Sequence, residues 1–238
     1  MAQHSKRAFF AILPKLDCQV NHEHIPFLSR GFSKAFRKII EMSGVGRYPF
    51  NMGKEKELTE KRLSSQCLYR GRILDLFVDE VELPNGRQSL REKVSHLGSV
   101  GMVPLDQEGQ VILIRQYRYP VEQELIEIPA GKLDLGEDPW ECARRETEEE
   151  IGLIPGRLVK LATFYTTPGF CNENFHLFLA VDLKKGDVNH DDDEFMVTKK
   201  VPLEQALEMI TSGEIRDAKT IIGLFLAREW LRKGNNTG

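Results

Sequence analysis

Apolar and polar residues alternate along "RILDLFVDEVELPNGRQSLREKVSH" on both sides of Pro84, Asn85 and Gly86. A period of two interrupted by such residues predicts two strands joined by a hairpin turn. The pattern recurs in "SVGMVPLDQEGQVILIRQYRYP" about Gln107, Glu108 and Gly109, with residues 111–115 forming a mostly buried strand. "ELIEIPAG" predicts another short strand, ended at Pro129. Further along, "LVKLATFYTTPGF" and "FHLFLAVDL" add two strands, while "LEQALEMITSG" and "AKTIIGLFLAREWLRK" have helical spacing and close at Gly213 and Gly234. Strands broken by one middle helix and followed by two late ones predict an α/β or α+β sandwich. The short links disfavour a doubly wound parallel sheet.

Residues 1–51 do not share this rhythm. They show no sustained period, are interrupted by Pro14 and Pro26, and end in the Gly-rich "SGVGRYPFNMG". Phe32, Phe36, Ile39 and Ile40 can line one side of a short basic amphipathic helix. The alternative, preferred here, is a poorly ordered basic extension, with Met52 as an alternative start. His22 and His24 have no ligand cluster around them and read as a solvated pair. The expected organisation is therefore an extension over residues 1–51, antiparallel strands over 52–97 and the main domain over 98–238.

Composition narrows the function classes. With 238 residues, 41% hydrophobic and 29% charged, the chain can build a sizeable core. The net charge of −3 is unevenly spread: residues 1–51 carry eight Lys/Arg against three Asp/Glu, the remainder 25 against 33. An acidic balance argues against nucleic acid as a partner, because backbone binding needs a clustered basic surface. No apolar run approaches the roughly 18 to 20 residues of a membrane span, and no secretory signal pattern is present, so the chain is read as cytoplasmic. Cys18, Cys67, Cys142 and Cys171 are scattered with no CxxC pair and read as free thiols.

The segment "GKLDLGEDPWECARRETEEEIGL" changes the picture. Positions 137–150 carry seven carboxylates, three of them adjacent at Glu148, Glu149 and Glu150. Asp138 as N-cap, Pro139 at the first helical position and Glu141 completing a capping box predict a helix start, and Gly152 its stop. At 100° per residue Trp140, Ala143, Thr147 and Ile151 share one side; Cys142, Glu146, Glu149 and Glu150 share the adjacent one. Acidic residues at a helix C-terminus oppose its dipole. Carboxylates about 6 Å apart also repel by roughly 3 kcal/mol at an effective dielectric near 20, before screening by salt. Arg145, one turn from Glu141 and Glu149, is expected to neutralise part of this charge and to leave Glu146 and Glu150 unpaired. A solvated acidic face and a site for a hard divalent cation are both compatible with this much; Mg²⁺, which takes one or two carboxylates plus substrate phosphates, is the fitting ion.

Gly131, five residues, Glu137, seven residues, Arg145-Glu146, then Glu149-Glu150, Gly152 and Leu153 resemble the Nudix box, with Thr147 standing where an aliphatic residue is usual. The resemblance implies a Nudix α/β/α sandwich with a mixed sheet, preceded by an N-terminal antiparallel sheet. The flanking "RQYRYP", "ELIEIPAGKLD", "TTPGFCNENFHLFLA" and "DDDEF", with Pro168 sixteen residues past Gly152, are similar to the ADP-ribose pyrophosphatase group. That likeness covers about residues 68–230. It implies a homodimer sharing its N-terminal sheet, and Mg²⁺-dependent hydrolysis of ADP-ribose to AMP and ribose 5-phosphate, with Mn²⁺ as the alternative ion. Alternatives are another nucleoside-diphosphate sugar or a dinucleotide, or a non-catalytic nucleotide sensor on the same fold.

Carried over by the resemblance, Ala130 supplies a backbone carbonyl and Glu146, Glu149 and Glu150 carboxylates to the ion. Glu127 lies beside them, and Arg115 and Arg118 lie near the phosphates or terminal ribose. Pro168 and Gly169 contact substrate, Arg145 and Glu149 belong to the catalytic set, and Glu194 matches the catalytic base. Each has a plainer alternative: Arg118 a surface ion pair, Glu127 a strand-edge charge, residues 191–194 a solvated loop, and Pro168 with Gly169 a turn.

Overall fold

The computed structural model describes residues 57–187 and 195–234. The expectations for residues 1–51, for the start at Met52, for Cys18, and for Asp191, Asp192, Asp193 and Glu194 lie outside the described residues.

The hairpin predicted about Gly86 is present: β2 (Asp75–Glu82) and β3 (Gln88–Ser95) pair antiparallel with Val81 opposite Ser89, and Gly86 adopts a φ of 80°. A strand the hydropathy pattern does not announce, β1 (Lys61–Arg70), lies on the far side of β2 and completes a three-stranded sheet. This sheet adds no residue to the clusters that form the core.

The chain then enters β4 (Ser99–Pro104) and β5 (Gln110–Arg118) through a tight turn at Gly109. The expected hairpin is only a beginning. Leu105 and Val111 make a single antiparallel bridge, after which the two strands part into different sheets. The reason is burial: all six residues of β4 are buried, so both its edges and both its faces need partners. It takes β9 (Asn174–Lys185) in parallel on one edge and β7 (Ala130–Lys132) antiparallel on the other. With β8 (Leu153–Tyr165) beyond β9, the result is a mixed sheet of order β7-β4-β9-β8. Meanwhile β5 sits between β6 (Gln123–Glu127) and β10 (Met196–Pro202), both antiparallel to it.

Helices cover both faces of the mixed sheet, and strand alternation decides which side chain meets which helix. Val100, Met102, Phe178 and Ala180 pack with Cys142 and Ala143 of α1 (Pro139–Ile151). Val103, Phe175, Leu177 and Leu179 point the other way, toward Leu224 and Ala227 of α3 (Ala218–Gly234), and α2 (Leu203–Thr211) closes that side with Ala206 and Leu207. Each buried Leu or Phe contributes roughly 1.5–3 kcal/mol against exposure, so this double-sided packing fixes α1 firmly on the sheet. The architecture is the α/β/α sandwich with a mixed sheet and a preceding antiparallel sheet that the sequence implied. No helix among the described residues is long and apolar enough to cross a membrane.

Backbone hydrogen bonds join the N-terminal sheet to the loop that follows β8. Val94 N–H donates to Phe170 O at 2.7 Å, and Asn172 N–H donates to Val94 O at 3.3 Å. The Asn172 side chain adds an acceptor for His96 N–H at 2.8 Å.

Candidate active site

Helix α1 begins and ends where the sequence indicates. Asp138 is extended (φ −73°, ψ 131°), and its carboxylate accepts from Trp140 N–H at 2.8 Å; that bond goes to Trp140, not to Glu141 as a capping box requires. Gly152 stops the helix in the left-handed region at φ 64°, its N–H donating to Glu148 O at 2.8 Å. The buried face differs from the helical-wheel expectation. Cys142 packs into the core beside Ala143, Trp140 is partly exposed, and Glu150 is only 4% exposed. Thr147 fits the interior by donating its hydroxyl to Ala143 O at 2.5 Å.

The expected pairing of Arg145 is corrected. Its guanidinium reaches back eight residues to grip Glu137 through Nε–Oε1 at 3.0 Å and Nη2–Oε2 at 3.1 Å, and it makes no ion pair with Glu141. The remaining Nη1 donates to Glu146 Oε1 at 2.8 Å and to Glu149 Oε2 at 2.9 Å. Nor is Glu150 left alone: its Oε2 accepts from Ala130 N–H at 2.9 Å. Glu146 lies flat on Gly131, where an added Cβ would stand 1.9 Å from the Glu146 carboxyl carbon. Gly131 is therefore needed for close approach. The hydrogen bond to Glu137 is the main reason the Arg145 guanidinium is held more firmly protonated than usual, against a burial effect that opposes it. The same contact holds the Glu137 carboxyl below the usual range. Burial, reinforced by Glu137, raises the Cys142 thiol and makes it unreactive.

A second charged group adjoins the first. Glu127, at 1% exposure, is clasped by Arg118 through Nε–Oε1 at 2.9 Å and Nη2–Oε2 at 2.8 Å. The Glu127 contact chiefly raises Arg118, burial opposes it, and Glu150 and Asp217 add smaller pulls. The structure thus brings Arg118, Glu127, Ala130, Glu146, Glu149, Glu150 and Arg145 into one neighbourhood. It does not bring Arg115 there. Three residues from Arg118, Arg115 projects from the other face of β5, pairs with Glu124 and lines a groove of about 420 Å³ with Tyr117 and Phe195. Pro168 and Gly169 lie in the 166–173 loop that meets β3. Glu173, near its end, accepts from Ser99 and Thr166 hydroxyls at 2.5 and 2.6 Å.

Sequence reading missed Asp217 and Thr220. Thr220 Oγ1 accepts from Ile128 N–H at 2.9 Å and donates to Asp217 Oδ2 at 2.7 Å. The signal was an Asp three residues ahead of a Thr at the start of a helical run, a capping pattern.

Among the described residues no three His, Cys, Asp or Glu side chains are already gathered at metal-ligand separations. Glu146 and Glu149 converge instead on one nitrogen of Arg145. The donor set is still all oxygen, placed at one corner between α1 and β7, and such hard ligands fit a divalent cation of the Mg²⁺ type.

An acidic helix capped by Gly152 and seated with Glu146 over Gly131 of β7, within this sandwich, defines a Nudix-type hydrolase. The chain belongs to the Nudix family: the NUDIX domain model matches residues 95–222, and the nucleoside diphosphate sugar hydrolase N-terminal domain model matches residues 60–94. It is 44% identical over 167 residues to an ADP-ribose pyrophosphatase of Bacillus subtilis (strain 168), covering 69% of this chain and 90% of that protein. It is 42% identical over 175 residues to a methanol dehydrogenase activator of Bacillus methanolicus, covering 73% of this chain and 94% of the relative. A crystal structure of an ADP compounds hydrolase superposes with a TM-score of 0.67 at 25% identity, covering 74% of this chain and 96% of that one. Nudix hydrolases generally use divalent metal ions.

Proposed function

We propose that the protein hydrolyses the diphosphate of ADP-ribose to AMP and ribose 5-phosphate, with Mg²⁺, or Mn²⁺ in its place, as cofactor. The observation that carries this reading is the seating of Glu146 on Gly131 and of Glu150 on the Ala130 N–H, with Arg145 tying Glu149 to Glu146 beside them. The carboxylates of Glu146, Glu149 and Glu150, with the Ala130 carbonyl, would hold the ion. An ion bound there neutralises diphosphate charge and makes water a stronger acid. Arg118 orients a phosphate beside Glu127, Arg145 keeps the carboxylate-bearing helix face in register, and the 166–173 loop with Pro168 and Gly169 bounds the substrate. Glu194 takes the proton from the attacking water as the phosphorus–oxygen bond of the diphosphate breaks.

The names of the relatives favour ADP-ribose. The match at residues 60–94 favours a second reading within the same chemistry, another nucleoside-diphosphate sugar. Residues 52–97 are proposed as the dimerisation strands and 98–238 as the hydrolase domain. Leu68, Tyr69 and Leu90 are exposed on a small sheet that adds no residue to the core clusters, and such a sheet gains stability from a covering partner. The scattered free cysteines favour the cytoplasm as its compartment. A panel of ADP-ribose, other nucleoside-diphosphate sugars and dinucleotides, assayed for nucleoside monophosphate release with and without Mg²⁺, tests the reading. AMP from ADP-ribose above all others is expected; binding without release would mark a sensor and overturn it.

A further inference from the structure

Four consecutive residues link the two charged groups of the site, and each is tied to a different part of the fold. The Glu127 carboxylate holds Arg118. Ile128 N–H donates to Thr220 Oγ1 at 2.9 Å, Pro129 O accepts from Met102 N–H at 2.9 Å, and Ala130 N–H donates to Glu150 Oε2 at 2.9 Å. Three of these ties come from β5, β4 and α1. The fourth comes from the first turn of α3, far along the chain.

That fourth tie has a fixed polarity. A hydroxyl carries one proton. Thr220 sends it to Asp217 Oδ2 at 2.7 Å, and the same oxygen also receives Thr220 N–H at 2.8 Å. Lys219 sits on the other oxygen, Oδ1. Burial would raise the Asp217 carboxyl, but Lys219 and Thr220 outweigh it and keep the group ionised and accepting. The lone pairs of Thr220 are therefore turned toward Ile128. Thr220 is fully buried, and Ile128 is fully buried too, so water cannot substitute for this bond. Arg216, next to Asp217, adds a bond from Nη2 to Gln123 Oε1 at 2.7 Å, pinning the same turn to β6.

We propose that Thr220, oriented by Asp217, is a positioning residue for the metal site. It holds the 127–130 segment at the height from which Ala130 meets Glu150 and Glu127 meets Arg118. It touches neither substrate nor ion. The inference rests on the functional reading above, because it treats Glu150 and the Ala130 carbonyl as ligands. Residues one step behind the ligands fix ligand orientation, and their loss typically weakens metal affinity by about 10- to 100-fold.

The experiment titrates Mn²⁺ by electron paramagnetic resonance into the full chain, its Thr220→Val and Thr220→Ser variants, with kcat for ADP-ribose and thermal unfolding measured in parallel. Valine keeps the shape and loses the acceptor; serine keeps the hydroxyl. Thr220→Val is expected to bind Mn²⁺ about 10-fold more weakly and to lose kcat, while Thr220→Ser stays within about twofold of the parent in both. A folded Thr220→Val with parental Mn²⁺ affinity overturns the proposal, as does a serine variant as impaired as the valine one, since a purely structural role would lower the melting temperature alone. Should Thr220→Val fail to fold, Asp217→Asn is read by the same criterion, because it keeps an oxygen for the residue 220 amide and removes the carboxylate. A parent protein that neither binds Mn²⁺ nor releases AMP sinks the functional reading, and this inference with it. A parent that does both beside an unaffected variant sinks the inference alone.

Discussion

Arg118 and Glu127 face each other across β5 and β6 through two parallel hydrogen bonds of 2.9 and 2.8 Å, with the carboxylate buried and the guanidinium partly open to solvent. The geometry is the strong, bidentate form of an ion pair. Removing the arginine strands a buried charge. For a fully buried pair that costs about 3–5 kcal/mol, and the exposure of Arg118 reduces the expectation for Arg118→Ala to about 2 kcal/mol. Adding Glu127→Gln should recover part of the loss, because the stranded charge is gone. Urea unfolding of the two single variants and the double variant measures this; equal losses that simply add would show the pair to be uncoupled.

Gly131 and Glu146 compete for one volume. Gly131→Ala places a methyl group 1.9 Å from the Glu146 carboxyl carbon, so the carboxylate must swing away and release Arg145. Misplacing a ligand by an ångström lowers turnover by about 10²-fold, and that is the expected fall in kcat with the circular dichroism spectrum unchanged. Glu146→Gln should lose activity to a similar extent, and combining the two should add little. Full activity in Gly131→Ala would mean the position of Glu146 is not required.

Acidification should erode stability in two windows. His176 is held below its ordinary 6.5 by burial first and Lys160 second, with Asp138 opposing. Below about pH 6.5 the unfolded chain therefore takes up a proton that the folded chain refuses, and stability falls. Glu137 is depressed by Arg145, so its contribution is complete above about pH 4.5, its ordinary value, and disappears as pH drops through the lower folded value. Asp79, Asp106 and Asp217, also depressed, act in the acid range as well. Melting temperature against pH should flatten in the upper window for His176→Gln and partly in the lower one for Glu137→Gln; unchanged profiles contradict both assignments.

Leu90 is 66% exposed on β3, opposite Glu80 and on the face shared by Leu76 and Val78. If this sheet is covered by a second copy, Leu90→Lys buries a charge in the interface and should yield monomers in analytical ultracentrifugation. The melting of the main core should change little, because no core cluster draws on β1–β3. A parent protein that already sediments as a monomer rules the dimer out.

Glu194→Gln should reduce kcat by about 10²- to 10⁴-fold with KM for ADP-ribose nearly constant, the signature of a lost base. Glu173, whose two oxygens each accept a hydroxyl hydrogen bond from Ser99 or Thr166, is fixed in place by those contacts. Undiminished kcat with the same acidic limb would move the base elsewhere.

Local signals in the sequence were reliable where the physics is local. The turn at Gly86, the N-cap at Asp138 and the left-handed Gly152 are decided within a few residues, and each is where the sequence places it. What escaped depends on distant partners. β1 carries Ser64, Ser65 and Gln66 with no alternation, and is a strand because β2 offers it an edge. β10, with Thr198, Lys199 and Lys200 exposed, is a strand because β5 does the same. The parting of β4 from β5 follows from a parallel pairing with β9 more than 70 residues away, which no window of sequence contains. In the site, the i,i+4 contact of Arg145 with Glu149 was legible, whereas its grip on Glu137 lies outside helical spacing. Thr220 meets Ile128 only after the whole domain has closed.

The clasp between β3 and the loop carrying Pro168 is made chiefly by main-chain groups of Val94, Phe170 and Asn172. Amides and carbonyls are common to nearly every residue type, so exchanging the side chains at positions 168–171 leaves those bonds in place. The loop can therefore diversify what it offers to a ligand while its anchorage persists. Of its residues, Asn172, whose side-chain oxygen serves His96, and Glu173, whose carboxylate takes the Ser99 and Thr166 hydroxyls, have the least latitude. An engineer testing the proposed contact of this loop with substrate has here a segment whose chemistry can be rewritten without first solving its placement.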